Sequence, residues 1–229
     1  FLIKNSVKIF FLEKYYKFLC INKLNDKENF ILFAGSLQPE ANSETLVGKY
    51  YDTFFLLKIL KKNLPKGWKI YYKEHFATFS QIAFNVSPLR KDKNFYLKLS
   101  KLSNVKLIPH EWNTKKLALK SKAVSTLSGT IGIEAAIYNK PVLAFGNTWY
   151  MGCKSIFNIK NSNDCKLAIK KIEKNYLPNQ KEIKKYLHAA ADSSHKFVHS
   201  KFFPIRNVVK NNTIIAKSLF QKYKNNRQI

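Results

Sequence analysis

Small hydroxylated residues and glycines cluster in one short stretch of the sequence, KAVSTLSGTIGIEAAIYNKPVLAFG, from Lys122 to Gly146. Ser128, Gly129 and Thr130 lie where an apolar segment gives way to a helical pattern. Ser or Thr at such a position caps a helix, and glycine permits a tight turn and close approach of a ligand. The free N–H groups of a helix N-terminus also attract phosphate. The stretch therefore predicts either a phosphate cradle or an ordinary capping turn.

Glu134 follows Thr130 by four residues, about one helical turn deeper on a similar face. A carboxylate there is placed to accept hydrogen bonds from ribose hydroxyls, although it also fits an exposed helix carboxylate. The patterns GxxxxGK[ST] and GxGxxG are absent from the sequence, which disfavours a kinase or a dinucleotide-dependent dehydrogenase.

Other candidate residues lie at the ends of predicted strands. His75 ends an apolar strand in the tripeptide KEH, where it could bind phosphate, act as an acid or serve only the fold. Gln38 and Glu40 lie in the loop LQPE, where Glu40 is either a catalytic base or a helix cap. Asn147 and the aromatic residues after it could line a sugar or base pocket.

Short apolar strands alternate with helical patterns along most of the chain. The predicted strands are Asn29–Ser36, Trp68–His75, Val105–Pro109, Lys122–Leu127 and Pro141–Gly146. The predicted helices are 1–21, 48–64, 94–103, 114–120, 129–139, 164–176, 180–200 and 207–225. Such alternation predicts an α/β fold, with a parallel sheet covered on both faces and the topology of a doubly wound, Rossmann-like domain.

A doubly wound sheet with strand order 3-2-1-4-5 changes direction between its first and fourth strands, and ligands bind outside the carboxyl ends at that point. The loops there would be SLQPEANSE, which starts at Ser36, and LSGT, residues 127–130. We therefore expect these polar loops to be adjacent and to form a binding site.

The chain of 229 residues has a net charge of +27, which raises the question of nucleic-acid binding. Its only arginines are Arg90, Arg206 and Arg227, and its lysines are scattered along the whole sequence. Because nucleic-acid readers usually rely on arginine for bidentate contacts, this pattern favours a solvated basic surface without a specific partner. An anionic substrate and an anionic membrane surface are the alternatives. The apolar segment 6–21 carries too many charges for a membrane span or a signal peptide, and it predicts an amphipathic helix.

The segments LQPEANSETLVGKYYDTFFLLKILKKNLPKGWKIYYKEH and STLSGTIGIEAAIYNKPVLAFGNTWY together resemble the capsular polysaccharide biosynthesis (capsule synthase) family over about residues 28–155. This resemblance implies a GT-B glycosyltransferase of bacterial surface polysaccharide, with some members transferring Kdo from CMP-Kdo. It implies that His75 contacts the donor phosphate, that Ser128, Gly129 and Thr130 cradle it, and that Glu134 holds the ribose. Gln38 and Glu40 would face the interdomain cleft, and no metal ion would be needed.

The resemblance also implies an organisation of three parts: a helix over 1–27 left from an interdomain region or a missing N-terminal domain, a nucleotide-sugar-binding domain over 28–160, and C-terminal helices over 161–229. The partners would be a nucleotide-sugar donor, a glycan or glycolipid acceptor and the inner-membrane surface, for a cytoplasmic protein. The sequence departs from the family at Phe76, where the pattern has proline, so a different turn is expected beside His75. A nucleotide-sugar 2-epimerase-like enzyme and a non-enzymatic basic binding module remain alternatives.

Overall fold

The computed structural model describes residues 2–38, 43, 45–80 and 91–193. Its centre is a six-stranded sheet in which every neighbouring pair of strands is parallel, in the order β3-β2-β1-β4-β5-β6. The strands are β1 (Phe30–Ala34), β2 (Lys69–Lys73), β3 (Val105–Ile108), β4 (Ala123–Thr126), β5 (Val142–Ala144) and β6 (Phe157–Asn158). This order confirms the predicted α/β, doubly wound sheet, with its change of direction between β1 and β4.

The central strands are buried on both faces, which explains why they are apolar at nearly every position. In β1, Phe30, Ile31, Leu32 and Phe33 are all buried. Ile31 pairs with Ile70 of β2 on one side and with Ala123 of β4 on the other. Strand β6 was not predicted, since it consists of only two residues that pair with Leu143 and Ala144.

Seven α-helices are present in the described part of the chain: α1 (Leu2–Leu19), α2 (Thr53–Asn63), α3 (Lys93–Ser100), α4 (Thr114–Lys120), α5 (Ile131–Ile137), α6 (Ser162–Glu173) and α7 (Gln180–Ser193). Several begin at an Asp or Asn whose side chain accepts backbone N–H groups of the first turn: Asp52 before α2, Asp92 before α3, Asn113 before α4 and Asn161 before α6. The helix predicted over 207–225 lies outside the described residues.

The helix predicted over residues 48–64 is divided in the structure. A 3₁₀ segment, Thr45–Tyr51, precedes α2, and Gly48 within it has φ of 55° and ψ of −133°. This left-handed conformation interrupts helical geometry and favours glycine. Helix α2 begins after Asp52, whose side chain accepts hydrogen bonds from the N–H groups of Phe54 and Phe55 at 2.8 and 3.3 Å.

Helix α1 is apolar on two opposite faces, whereas the sequence predicted an amphipathic helix. Ile9, Leu12 and Tyr16 form a buried face. The opposite face carries exposed apolar side chains: Val7, Phe10, Phe11 and Phe18. Because both faces are apolar, charge spacing along α1 could not indicate which one is buried.

The chain divides into two compact units, residues 1–183 and 184–229. The first contains the whole sheet and α1 to α6. The second begins within α7, and its described part continues that helix to Ser193. None of the helices in the described residues is long and apolar enough to cross a membrane.

Candidate functional site

A cavity of about 420 Å³ lies at the carboxyl ends of β1, β2 and β4. Its walls come from the residues that follow these strands and from the first turn of α5: Gly35, Ser36, Leu37, Ser43, Lys73, Glu74, His75, Phe76, Thr126, Ser128, Gly129, Thr130, Ile131 and Glu134, with Ala34 and Thr114. The loops after β1 and β4 therefore meet at the change of strand direction, as the sequence predicted. The volume falls within the range of small-molecule pockets.

Ser128, Gly129 and Thr130 connect β4 to α5 and form one wall of the cavity. The Gly129 N–H donates to Thr126 Oγ1 at 3.1 Å, and the Gly129 carbonyl accepts the Tyr150 hydroxyl at 2.6 Å. Thr130 occupies the N-cap position of α5, but its side chain makes no capping hydrogen bond. If Thr130 served only as a helix cap, its hydroxyl would accept a backbone N–H of α5. Because it does not, this hydroxyl is available to a ligand. Glu134 lies one turn further along α5 and is exposed at the cavity.

Gly132 serves packing within the protein. A Cβ atom at this position would lie 2.3 Å from the Tyr150 Oη atom and 2.8 Å from Cζ of the same ring. The buried Tyr150 ring therefore occupies the space beside Gly132, and this space is not part of the cavity. Tyr150 in turn holds the Gly129 carbonyl, so Gly132 supports the geometry of the loop after β4.

His75 lies two residues after the end of β2, and its ring orientation is fixed by the next turn. Its Nδ1 atom accepts the Ala77 N–H at 3.2 Å, at the start of a 3₁₀ turn over Phe76–Phe79. In a neutral ring the proton then lies on Nε2, which can donate a hydrogen bond. Burial lowers the pKa of His75, and the charges of Lys91 and Lys73 lower it further against the raising effect of Glu74. His75 is therefore a neutral hydrogen-bond donor at pH 7.

Glu74 is fully buried and forms the centre of a hydrogen-bond network behind the cavity. Its Oε1 atom accepts from Lys91 Nζ at 2.8 Å, from the His75 N–H at 2.8 Å and from the Thr78 hydroxyl at 3.1 Å. Its Oε2 atom accepts from two tyrosine hydroxyls, Tyr72 at 2.8 Å and Tyr96 at 3.0 Å. Burial alone would raise the pKa of Glu74, but Lys91 and the other donors bring that pKa below its usual value.

Lys91 links this network to the loop after β1, since its ammonium also donates to the Ser36 carbonyl at 2.7 Å. Gly35 approaches the same network closely. A Cβ atom at Gly35 would lie 3.0 Å from the Lys73 carbonyl oxygen and 3.1 Å from Glu74 Oε1. Glu74 and Lys91 therefore fix Ser36 and His75 relative to one another across two strands.

Two of the predicted site residues line other cavities. Gln38 lines a separate cavity beside α2, and its amide donates to the carbonyls of Ser43 and Tyr51 at 3.2 and 3.0 Å. Asn147 is exposed and lines a second cavity of about 310 Å³ at the ends of β5 and β6. Glu40 lies outside the described residues.

No role for Lys73, Lys91 or Gly35 was predicted from the sequence. Lys73 could have been recognised as a candidate site residue from its position in a mostly apolar strand, because strands of a covered sheet rarely contain a buried charge. Lys91 stands 17 residues after Glu74 in the sequence. Only the tertiary structure shows that the two are paired.

In the described part of the chain, one group of side chains offers three metal ligands together: Glu13, His110 and Glu111. The Lys17 ammonium already bonds to both carboxylates, at 2.7 Å from Glu13 and in a close contact with Glu111. His110 Nε2 lies 2.9 Å from the same Glu13 oxygen. This group is an ion-pair cluster that joins α1 to the loop after β3.

The family described as "Capsule polysaccharide biosynthesis protein" matches residues 24–154, which exceeds half of the chain. No curated protein matches the chain. Solved structures that are similar include two of KpsC from Thermosulfurimonas dismutans, described as β-Kdo 2,7 transferase (TM-score 0.46, 17% identity) and β-Kdo 2,4 transferase (TM-score 0.47, 17% identity). A UDP-GlcNAc 2-epimerase from Methanocaldococcus jannaschii is also similar (TM-score 0.46, 15% identity).

These matches involve 73%, 81% and 82% of this chain and 52%, 62% and 51% of the respective solved chains. The chain therefore spans between about half and three fifths of the length of these structures. A fold does not specify a function, so the function must be argued from the cavity and its side chains.

Proposed function

This chain belongs to the capsule polysaccharide biosynthesis protein family, and from that premise we propose that it forms the donor-binding half of a GT-B glycosyltransferase for bacterial surface polysaccharide. The observation that carries the proposal is the 420 Å³ cavity at the change of strand direction. It is large enough for a small molecule and joins hydroxyl, imidazole and carboxylate groups on one concave surface. A nucleotide-sugar, such as CMP-Kdo, is the donor that this combination fits.

In this proposal the loop after β4 binds the donor phosphate. Ser128 and Thr130 offer hydroxyl donors, and Gly129 keeps the backbone close to the ligand. The support is that Thr130 makes no capping hydrogen bond and that all three residues line the cavity. Glu134, one turn deeper, accepts the ribose hydroxyls.

His75 acts on the leaving phosphate. Breaking the bond between the sugar and the phosphate places negative charge on phosphate oxygens. A neutral imidazole with a proton on Nε2 can stabilise that charge by a hydrogen bond. The interaction between His75 Nδ1 and the Ala77 N–H favours this tautomer, even though phenylalanine follows His75. Glu40 is proposed as the catalytic base.

We expect the side chains of the cavity to neutralise the phosphate charge without a bound metal ion. The acceptor in this proposal is a glycan or glycolipid, and its binding requires a second domain. Peripheral contact with the cytoplasmic surface of the inner membrane is part of the same proposal. It is supported by the exposed aromatic face of α1, where Lys14 lies 5.4 Å from the Phe10 ring centroid.

Nucleotide binding tests the proposal. Calorimetric titration of the chain with CMP, UDP and their sugar derivatives should give saturable binding for one nucleotide class. Serine in place of Asn147, which lies at the second cavity, is the matched control and should leave the affinity unchanged. The proposal fails if no nucleotide binds at millimolar concentration. A transfer assay on the full protein with and without a chelator tests the expectation about metal ions.

A further inference from the structure

Lys73 is the last residue of β2 and lines the cavity, although it is only 7% exposed. Its neighbours in sequence, Tyr72 and Glu74, point into the hydrogen-bond network behind the cavity. Strand alternation places the Lys73 side chain on the other side. The charge of Lys73 contributes to the lowered pKa of His75, so the ammonium lies within electrostatic range of that imidazole.

Within residues 2–38, 43, 45–80 and 91–193, no carboxylate forms an ion pair with Lys73. Glu74 is adjacent in sequence, but its two oxygens accept five hydrogen bonds from other groups. Glu111 acts on Lys73 electrostatically, but its carboxylate bonds to Lys17.

A buried ammonium without a counter-ion is costly, because the protein interior solvates charge poorly. Burial accordingly lowers the pKa of Lys73, against the raising effects of Glu74 and Glu111. Lys91, which pairs with Glu74 in the network, provides the contrast. It is equally buried, and it has both a carboxylate and a carbonyl as partners.

We infer that Lys73 is a binding residue for the phosphoryl group of the nucleotide, and that this anion is its missing counter-ion. The inference rests on the proposed function and extends it by a residue that lines the same cavity as His75 and the loop after β4. Phosphate suits this position, since lysine binds it as a point charge while His75 and the hydroxyls of Ser128 and Thr130 supply further donors.

The test compares the parent chain with Lys73→Met by calorimetric titration of CMP, cytidine and inorganic pyrophosphate. Loss of a charged hydrogen bond should weaken CMP binding by about 10- to 150-fold. Cytidine, which has no phosphate, should bind both proteins equally. Lys73→Arg should restore part of the CMP affinity because it retains the positive charge.

Stability provides a second readout that separates ligand binding from a structural role. Without ligand, Lys73→Met should unfold at the same temperature as the parent or higher, because an unpaired buried charge has been removed. Lys140→Met is the matched control: Lys140 is also partly buried, donates to the Ser121 carbonyl at 3.1 Å and lies outside the cavity. It should lose some stability and keep full CMP affinity.

The outcomes separate this inference from the proposed function. If no nucleotide binds the parent, the proposed function fails, and the Lys73 inference then stands only if pyrophosphate binds the parent more tightly than Lys73→Met. If neither anion distinguishes the two proteins, the inference is wrong. It is also wrong if Lys73→Met is strongly destabilised, since the Lys73 ammonium would then have a counter-ion within the protein itself.

Discussion

Replacing Lys91 by Met should leave the Glu74 carboxylate buried without its cation. Lys91 Nζ donates to Glu74 Oε1 at 2.8 Å, and the two side chains are 6% and 0% exposed. Methionine keeps most of the aliphatic volume of lysine, so loss of the charge is the main perturbation. Tyr72, Tyr96 and Thr78 still donate to Glu74, but they carry no positive charge.

Breaking a buried ion pair by removing one partner costs about 3–5 kcal/mol. In a domain of this size, 1 kcal/mol shifts the melting temperature by about 2–4 °C, so a decrease on the order of 10 °C is expected. The carbonyl of Ser36 also loses its donor, at a cost of about 1–3 kcal/mol that partly overlaps with the first. The combined loss of unfolding free energy should therefore be near the upper end of the range of about 3–5 kcal/mol.

The loss of stability in Lys91→Met should depend on pH because the Glu74 carboxyl titrates. In the parent, the pKa of Glu74 is lowered in the folded state, so its stabilising contribution is present above about pH 4.3, the unfolded pKa, and decreases as pH falls through the folded pKa. In Lys91→Met, burial without the cation should raise that pKa above the unfolded value. The destabilisation should therefore be largest at pH 7–8 and smaller near pH 4–5.

Urea unfolding followed by circular dichroism between pH 4 and 8 measures these differences. Lys98→Met, an exposed lysine of α3, is the control and should change the free energy of unfolding by less than about 0.5 kcal/mol. Combining Lys91→Met with Glu74→Gln should cost less than the sum of the two single changes, because the unpaired charge is gone. A loss below about 1 kcal/mol that does not vary with pH would refute the role given to this ion pair.

Three further changes test other parts of the account. Gly132→Ala should lower the free energy of unfolding by about 1–3 kcal/mol, since its Cβ would lie 2.3 Å from the Tyr150 Oη atom; an unchanged urea midpoint would contradict the packing argument. Thr130→Ala should weaken nucleotide binding by about 1.5–3 kcal/mol in calorimetry while leaving the melting temperature unchanged, because the hydroxyl makes no capping bond; a change in melting temperature alone would show that Thr130 is only a cap. Serine at Phe10, Phe11 and Phe18 together should reduce co-sedimentation with phosphatidylglycerol vesicles, as these exposed rings would enter the lipid interface; equal binding of parent and variant would rule out α1 as the membrane contact.

The sheet could be predicted from the sequence because its strands are buried on both faces and are therefore apolar at most positions. Strand order followed from the rules of parallel connections, and the adjacency of the loops after β1 and β4 followed from strand order. Helix boundaries were less accurate. The division before α2 depends on the left-handed conformation of Gly48, a property that the residue type permits but does not require.

The candidate site could be predicted only in part. Ser128, Thr130 and Glu134 follow from local spacing, and His75 follows from its position at a strand end. The pairing of Glu74 with Lys91 is a contact between distant residues that no local pattern indicates. Similarly, Gly132 lies in a region where a ligand was expected, but its space is occupied by Tyr150, which comes from beyond β5.

Hydrogen exchange, measured by mass spectrometry with and without saturating CMP or UDP, tests most directly where the nucleotide binds. We expect slower exchange in peptides covering residues 35–38, 73–78 and 126–134, which surround the 420 Å³ cavity. Exchange in residues 162–173 of α6, outside that cavity, should be unchanged. Protection confined to residues 144–151 and 157–160, at the second cavity, would contradict the assignment of the donor site.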